Sequence, residues 1–217
     1  MNNNQRQILK NLLNFEIDDK TFANFQKYTK LFLEYNAHTN LMSKNDEKVL
    51  FEKHIFDSLA LSQFFKSEKI TNMLDIGTGG GFPSLPVAIA YPEISVYAMD
   101  SIQKKLNFIE QVKKELYLKN IETLHQRAEN ITKTDFKSFE LVTCRAVSAL
   151  KNLFPYATPY IKNKGFFVAF KSKNFQAELD DAEDIIQKSK MKLTQIIDYN
   201  LPLEENFERK LLIFQKT

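Results

Sequence analysis

The chain has 217 residues, enough for one domain of ordinary size or for a core domain with a small appendage, and enough to bury a substantial apolar core. Its single cysteine, Cys144, excludes an intramolecular disulfide and any multi-cysteine zinc site, and three histidines at no ligand spacing, His38, His54 and His125, give no support for a metal. With a formal charge of +3, no apolar run near the ~20 residues needed to cross a bilayer and no signal-peptide core in Met1 to Leu13, a soluble cytoplasmic protein that spans no membrane is expected.

Before Ile70 the chain reads as helices only, over 4–14, 19–35 and 46–65, with Asp18 or Asp19 and Asn45 or Asp46 as candidate N-caps. Phe22, Phe25, Phe32, Leu33 and Tyr35 make one apolar stripe, and Val49, Leu50, Ile55, Phe56, Leu59, Ala60, Phe64 and Phe65 make another. Residues 1–69 are therefore expected to be a helical extension packed on the remainder. From Ile70 onward short apolar runs alternate with helical periodicity, the pattern of an α/β domain over 70–217 built on a mostly parallel sheet. Strands are predicted near 72–76, 95–100, 122–126, 139–144, 165–170, 194–199 and 210–215. Helices fall near 83–91, 102–118, 147–161 and 175–190, with a helical turn at 128–132. No helix separates the last two strands, so they can pair as a hairpin at one edge.

Four of the five glycines, Gly77, Gly79, Gly80 and Gly81, follow the strand Met73-Leu74-Asp75-Ile76 directly. A strand that ends in a glycine cluster and restarts as a helix lets backbone N–H groups approach a ligand where a Cβ would clash. A dinucleotide fingerprint would place its third glycine where Phe82 stands, which counts against a nicotinamide oxidoreductase. The pattern present, Asp75-Ile76-Gly77-Thr78-Gly79-Gly80-Gly81, resembles the first motif of class I methyltransferases that bind S-adenosylmethionine. Seven strands is the class I count as well. A bare turn is a weaker reading, because it needs one or two glycines and not four.

Asp100 closes the second strand 23 positions beyond Gly77, where an acidic side chain accepts hydrogen bonds from ribose hydroxyls in nucleoside-binding sheets; the alternative is an N-cap for the next helix. After the fourth strand, Arg145 stands where class I methyltransferases place substrate-facing residues, and Lys171 after the fifth is aimed at the same edge. Residues 101–174 carry fourteen basic and six acidic groups, a local excess of +8 beside the glycine loop. Such an excess suits a polyanion such as RNA, although a solvated lysine-rich surface would read the same way.

Asp75 to Pro86, the turn Arg127-Ala128-Glu129, Cys144-Arg145-Ala146, and the strings Tyr35-Asn36-x-x-x-Asn40-Leu41 and His54-Ile55-x-Asp57-Ser58-Leu59 together resemble the ribosomal RNA small subunit methyltransferase G family over nearly the whole chain. The resemblance implies a class I (Rossmann-like) seven-stranded fold and methyl transfer from S-adenosylmethionine to N7 of a guanine in 16S rRNA near the decoding site. It also implies 16S rRNA or the small ribosomal subunit as partner, and a monomer is expected. Cofactor contacts carried over from the family fall on Gly77, Phe82, Ala128, Glu129 and Arg145, beside Asp75, Gly79, Gly81 and Asp100 of the motifs above. Arg145 and Lys171 are the expected catalytic residues. The chain departs from the family at Cys144, where Ser is common before the Arg, and at Ser172, where Gly tends to follow the Lys. A Cys144 nucleophile is disfavoured, because guanine N7 has its own lone pair. His54, Asp57 and Ser58 share one helical face and so do not make a hydrolase triad; this face either packs against the glycine loop, with His54 or Asp57 fixing it or touching the cofactor's methionine end, or makes an interhelical hydrogen bond, the more ordinary outcome. Two rivals remain at this stage, a methyltransferase for a protein or small molecule and a non-catalytic RNA-binding scaffold.

Overall fold

The computed structural model describes residues 1–130, 138–145, 148–205 and 207–217. In the N-terminal third, α1 (Asn3–Leu13) opens with a capping box between Asn2 and Gln5, and α2 (Asp19–Thr39) is capped by the Asp18 carboxylate, which accepts the Thr21 N–H. Asn40 ends α2 in the left-handed region at φ 54°.

The helix predicted over 46–65 is broken into α3 (Lys44–Glu47), capped by Ser43, a π-helical turn Phe51–Phe56, α4 (Asp57–Leu59) and α5 (Leu61–Phe65). Such a turn inserts an extra residue and changes which side chains share a face, an effect hidden from a 3.6-residue periodicity and frequent at functional sites.

The rest is an α/β sandwich: β1 (Asn72–Ile76), α6 (Ser84–Ala90), β2 (Ser95–Asp100), α7 (Gln103–Leu116), β3 (Ile121–His125), β4 (Phe139–Cys144), α8 (Leu150–Ala157), β5 (Ile161–Ser172), α9 (Gln176–Asp181), α10 (Glu183–Lys188), β6 (Met191–Leu201) and β7 (Phe207–Lys216). The seven strands lie in the order β3-β2-β1-β4-β5-β7-β6. The pairs among β1 to β5 are parallel, while β7 runs antiparallel to both β5 and β6. The expected hairpin is present, with β6 at the edge and β7 inside the sheet. A 3₁₀ turn, Thr158–Tyr160, finishes the segment predicted as one helix to 161, whose first residue, 147, lies outside the described residues. The helix expected over 175–190 is two short ones. Of the helical turn expected at 128–132, residues 131 and 132 also lie outside the described residues.

Alternate strand residues feed opposite faces of the sheet. Met73, Ala98, Leu141, Val168 and Ile213 join a cluster with α1, α2, α6 and α7, whereas Leu74, Val142, Phe167 and Phe214 join one with α8 and α10. The N-terminal helices therefore cover part of one sheet face. Among the described residues no helix is long and apolar enough to cross a membrane, and no group of three His, Cys, Asp or Glu side chains is placed to hold a metal ion.

Candidate functional site

Strand order reverses between β1 and β4, and open α/β sheets bind ligands at the carboxyl ends of the strands flanking such a point. A cavity of about 610 Å³ opens there, lined from the ends of β1, β2, β3 and β4, with the loop after α2 and the π-helical turn closing one side. That volume suits a nucleoside-sized ligand.

The β1 wall is backbone. Gly77 and Thr78 both donate their N–H to the Met99 carbonyl at 2.9 Å, and Gly81 N–H donates to Thr78 O at 2.9 Å. Gly79 (φ 59°) and Gly81 (φ 87°) occupy the left-handed region that favours glycine. Gly80 is required by space instead: a Cβ there would meet the Phe32 ring at 2.9 Å.

Asp75 lies beneath this loop and outside the cavity lining. Ser84 Oγ donates to its Oδ2 at 2.6 Å, so the Thr78 hydroxyl at 2.9 Å from Ser84 Oγ is the donor in that pair. Burial, opposed by these hydroxyls, pushes the Asp75 pKa up to about 7, and its Oδ1 has no hydrogen-bond partner among the described residues. Gly81 is also withdrawn from the lining and packs on Leu85.

Asp100 lines the cavity from the end of β2. Its Oδ2 accepts the Gly79 N–H at 3.0 Å and its Oδ1 the Ile102 N–H at 2.9 Å, with Lys105 Nζ 3.4 Å away. Ile102, and not Asp100, is the N-cap position of α7. After β3, residues Gln126, Arg127, Ala128 and Glu129 line the far end. Tyr160 OH braces this turn by donating to Ala128 O at 3.3 Å and accepting from Gln126 Nε2 at 3.1 Å.

Arg145 closes the opposite wall. Its Nη1 donates to Lys53 O at 3.0 Å and Asp57 Oδ2 at 3.0 Å, and its Nη2 lies 2.8 Å from His54 Nδ1. A guanidinium only donates, so Nδ1 is the acceptor and Nε2 carries the imidazole proton. Burial, with the Arg145 charge second, lowers the His54 pKa to about 4 and keeps the ring neutral. The guanidinium carbon lies 5.2 Å from the centroid of the Phe82 ring, which also packs against Phe32 at 5.3 Å and His54 at 5.2 Å. The residue that breaks the dinucleotide fingerprint is thus an aromatic floor under Arg145.

The structure brings Gly77, Gly79, Phe82, Asp100, Ala128, Glu129 and Arg145 to one cavity. It leaves Lys171 outside, its Nζ donating to Glu178 Oε1 at 2.6 Å across to α9, which removes the geometric basis for a catalytic Lys171. Cys144 is buried among apolar side chains and does not line the cavity. Several lining residues were not anticipated: Met42, Asp46, Ile102, Lys105 and Tyr156. Leu41 and Met42 are held there by buried Asn36, which accepts the Met42 N–H at 2.8 Å and donates to Met42 O at 3.0 Å. The Asn36-to-Leu41 string carried that signal; nothing in the sequence marked Ile102 or Tyr156.

The same fold is found in a SAM-dependent methyltransferase from Aquifex aeolicus, with TM-score 0.59 and 16% identity over 80% of this chain and 96% of that one. A putative RNA methyltransferase from Pyrococcus horikoshii gives TM-score 0.56 and 10% identity over 75% of this chain and 83% of that one. The fold is that of the class I methyltransferases. Residues 21–207 match the family model for rRNA small subunit methyltransferase G. Curated proteins called ribosomal RNA small subunit methyltransferase G are 35% identical in Lachnoclostridium phytofermentans, over 94% of this chain and 85% of that protein, and 36% identical in Staphylococcus saprophyticus, over 93% and 84%. The chain belongs to this family.

Proposed function

We propose that this protein methylates N7 of a guanine in 16S rRNA near the decoding site, using S-adenosylmethionine, and that it works as a cytoplasmic monomer. Bound S-adenosylmethionine would supply an electrophilic methyl on a cationic sulfur. The residues fit such a group: Gly77 and Gly79 bring the backbone close, Asp100 and Glu129 set carboxylates along the cavity, and its volume matches. Asp100 would take the ribose, Ala128 and Glu129 the adenine end, and Phe82 with Arg145 the end where the methyl leaves.

The observation that carries the reaction class is that His54 and Asp57, the titratable groups beside Arg145, are already engaged as its partners. His54 is neutral but its Nδ1 is filled by Arg145, and Asp57 is outside the lining and fully engaged. A guanine N7 brings its own lone pair and has no proton to lose, so alignment is the main requirement. Arg145 would position guanine O6 or a flanking phosphate.

Labelled methyl from S-adenosylmethionine, offered with small subunits, naked 16S rRNA and protein from cells lacking the enzyme, tests this. Label in N7-methylguanosine is the expected outcome, with affinity falling steeply with salt. Label only in protein or a small molecule would overturn the substrate, and no label despite cofactor binding would point to a scaffold.

A further inference from the structure

Asp57 sits outside the cavity, 2% exposed, yet it is the most connected carboxylate near it. Its Oδ1 accepts Tyr199 OH at 2.6 Å and Arg209 Nε at 3.1 Å; its Oδ2 accepts Arg145 Nη1 at 3.0 Å and Arg209 Nη2 at 3.3 Å. Tyr199 and Arg209 are register partners across the β6–β7 hairpin, and neither lines the cavity. One buried carboxylate thus ties the first turn of α4, the end of β4 and the C-terminal hairpin together.

The charge count is uneven. Arg209 already meets Asp57 through two nitrogens, which with the tyrosine hydroxyl satisfies the carboxylate, so its burial does not require a second guanidinium. Arg145 is the partner that gains. Asp57 and Lys53 O together hold its Nη1, and His54 holds its Nη2, which fixes the guanidinium plane over Phe82 before any ligand arrives. A flexible arginine would otherwise lose its rotamer freedom on binding, and without a carboxylate it would set a bare cation beside a cationic methyl donor.

We propose that Asp57 is the positioning residue for Arg145, and that Tyr199 and Arg209 of the C-terminal hairpin act on the reaction through Asp57. This rests on the function proposed above. It makes the hairpin, remote from the glycine loop in sequence, part of the apparatus that aligns the reacting groups.

The test uses the full chain, whose four arginines, Arg6, Arg127, Arg145 and Arg209, make side-chain nitrogen signals assignable after ¹⁵N-arginine labelling. Asp57→Asn and Tyr199→Phe are made in the parent and in an Arg145→Lys background. In the parent, Asp57→Asn lowers kcat about 100-fold with KM for small subunits held within about two-fold, the signature of lost alignment. Tyr199→Phe, losing one hydrogen bond, lowers kcat about 5-fold. Both losses shrink to about two-fold or less in the Arg145→Lys background, because the residue acted upon is gone. The separate Nη signals of Arg145 merge in Asp57→Asn as the guanidinium begins to rotate. Equal losses in both backgrounds, or a folded Asp57→Asn protein with parental kcat and an unchanged Arg145 spectrum, would overturn the proposal. If Asp57→Asn does not fold, Tyr199→Phe decides in the same way. A parent that transfers no methyl would overturn the reading of function instead, and the Arg145 signals would still decide whether Asp57 holds the guanidinium.

Discussion

One wall of the cavity is held by its own backbone: Gly77, Thr78 and Gly81 donate to carbonyls within the loop and the neighbouring strand, and Gly79 to Asp100. The opposite wall is centred on a side chain, with Arg145 kept in place by the Lys53 carbonyl and the His54 and Asp57 side chains from 88 to 92 residues upstream. Local backbone geometry tolerates side-chain changes but not added atoms. A side-chain node tolerates added atoms at its margins but not the loss of a charge.

Five substitutions, one of them read at two pH values, break or sharpen this contrast, from the largest effect down. Arg145→Ala removes the side chain on which the second wall converges and is expected to lower methyl transfer by about 10³-fold or more, measured with labelled cofactor and small subunits. Full activity would remove Arg145 from the reaction. Gly81→Ala acts on the first wall: a Cβ at φ 87° would sit 2.5 Å from Leu85 Cδ1. Left-handed strain and crowding together should cost about 2–3 kcal/mol of stability in a urea titration. A change below about 0.5 kcal/mol would show that the loop relaxes freely.

His54 gives the next effect. Its pKa is lowered to about 4 in the folded state, so its contribution to stability is present above its ordinary value of 6.5 and is lost as pH falls toward 4. Asp75, raised to about 7 from 3.8, acts in the opposite sense, and its contribution fades as pH rises through 7. The two should partly mask each other in the parent. His54→Gln should therefore remove roughly 2 kcal/mol of the acid-side loss between pH 7 and 4.5, read from urea midpoints at the two pH values. Identical acid-side slopes in parent and variant would mean that His54 takes up its proton without unfolding the site.

Asp100→Ala should weaken binding of S-adenosylhomocysteine about 10-fold by calorimetry, through the lost ribose acceptor and a looser Gly79. An unchanged dissociation constant would leave Asp100 as a clamp on the loop. Cys144→Ala should leave kcat within about two-fold, since N7 needs no covalent activation and the thiol is outside the lining. Loss of transfer in a folded Cys144→Ala protein would reopen the nucleophile.

The contrast between the walls also explains what the sequence displayed. The strand positions, the hairpin and the glycine loop were legible because each depends on residues close together in the chain, through periodicity and turn chemistry. The acidic end of β2 was legible by its spacing from Gly77. The break of 46–65 into a π-helical turn was not, because its apolar stripe reads the same in either winding. Lys171 was misjudged for a related reason: strand position gave the edge of the sheet, while its reach to Glu178 depends on α9. An arginine near a cationic sulfur called for a directing anion, but that this is Asp57, with Arg209 and Tyr199 behind it, follows only from the folded chain.

The aromatic cluster beneath the loop makes the two halves of the chain one cooperative unit. Tyr28 and Phe32 of α2 contact Phe82 of the loop and Phe108 of α7, and the apolar cluster runs unbroken from Leu9 to Ile213. Opening α2 would expose the rings that carry the glycine loop, so amide protons in α2 and in β1 should exchange with solvent through the same large fluctuation and at similar free-energy levels. On that expectation the glycine loop lives as long as the N-terminal helices stay closed.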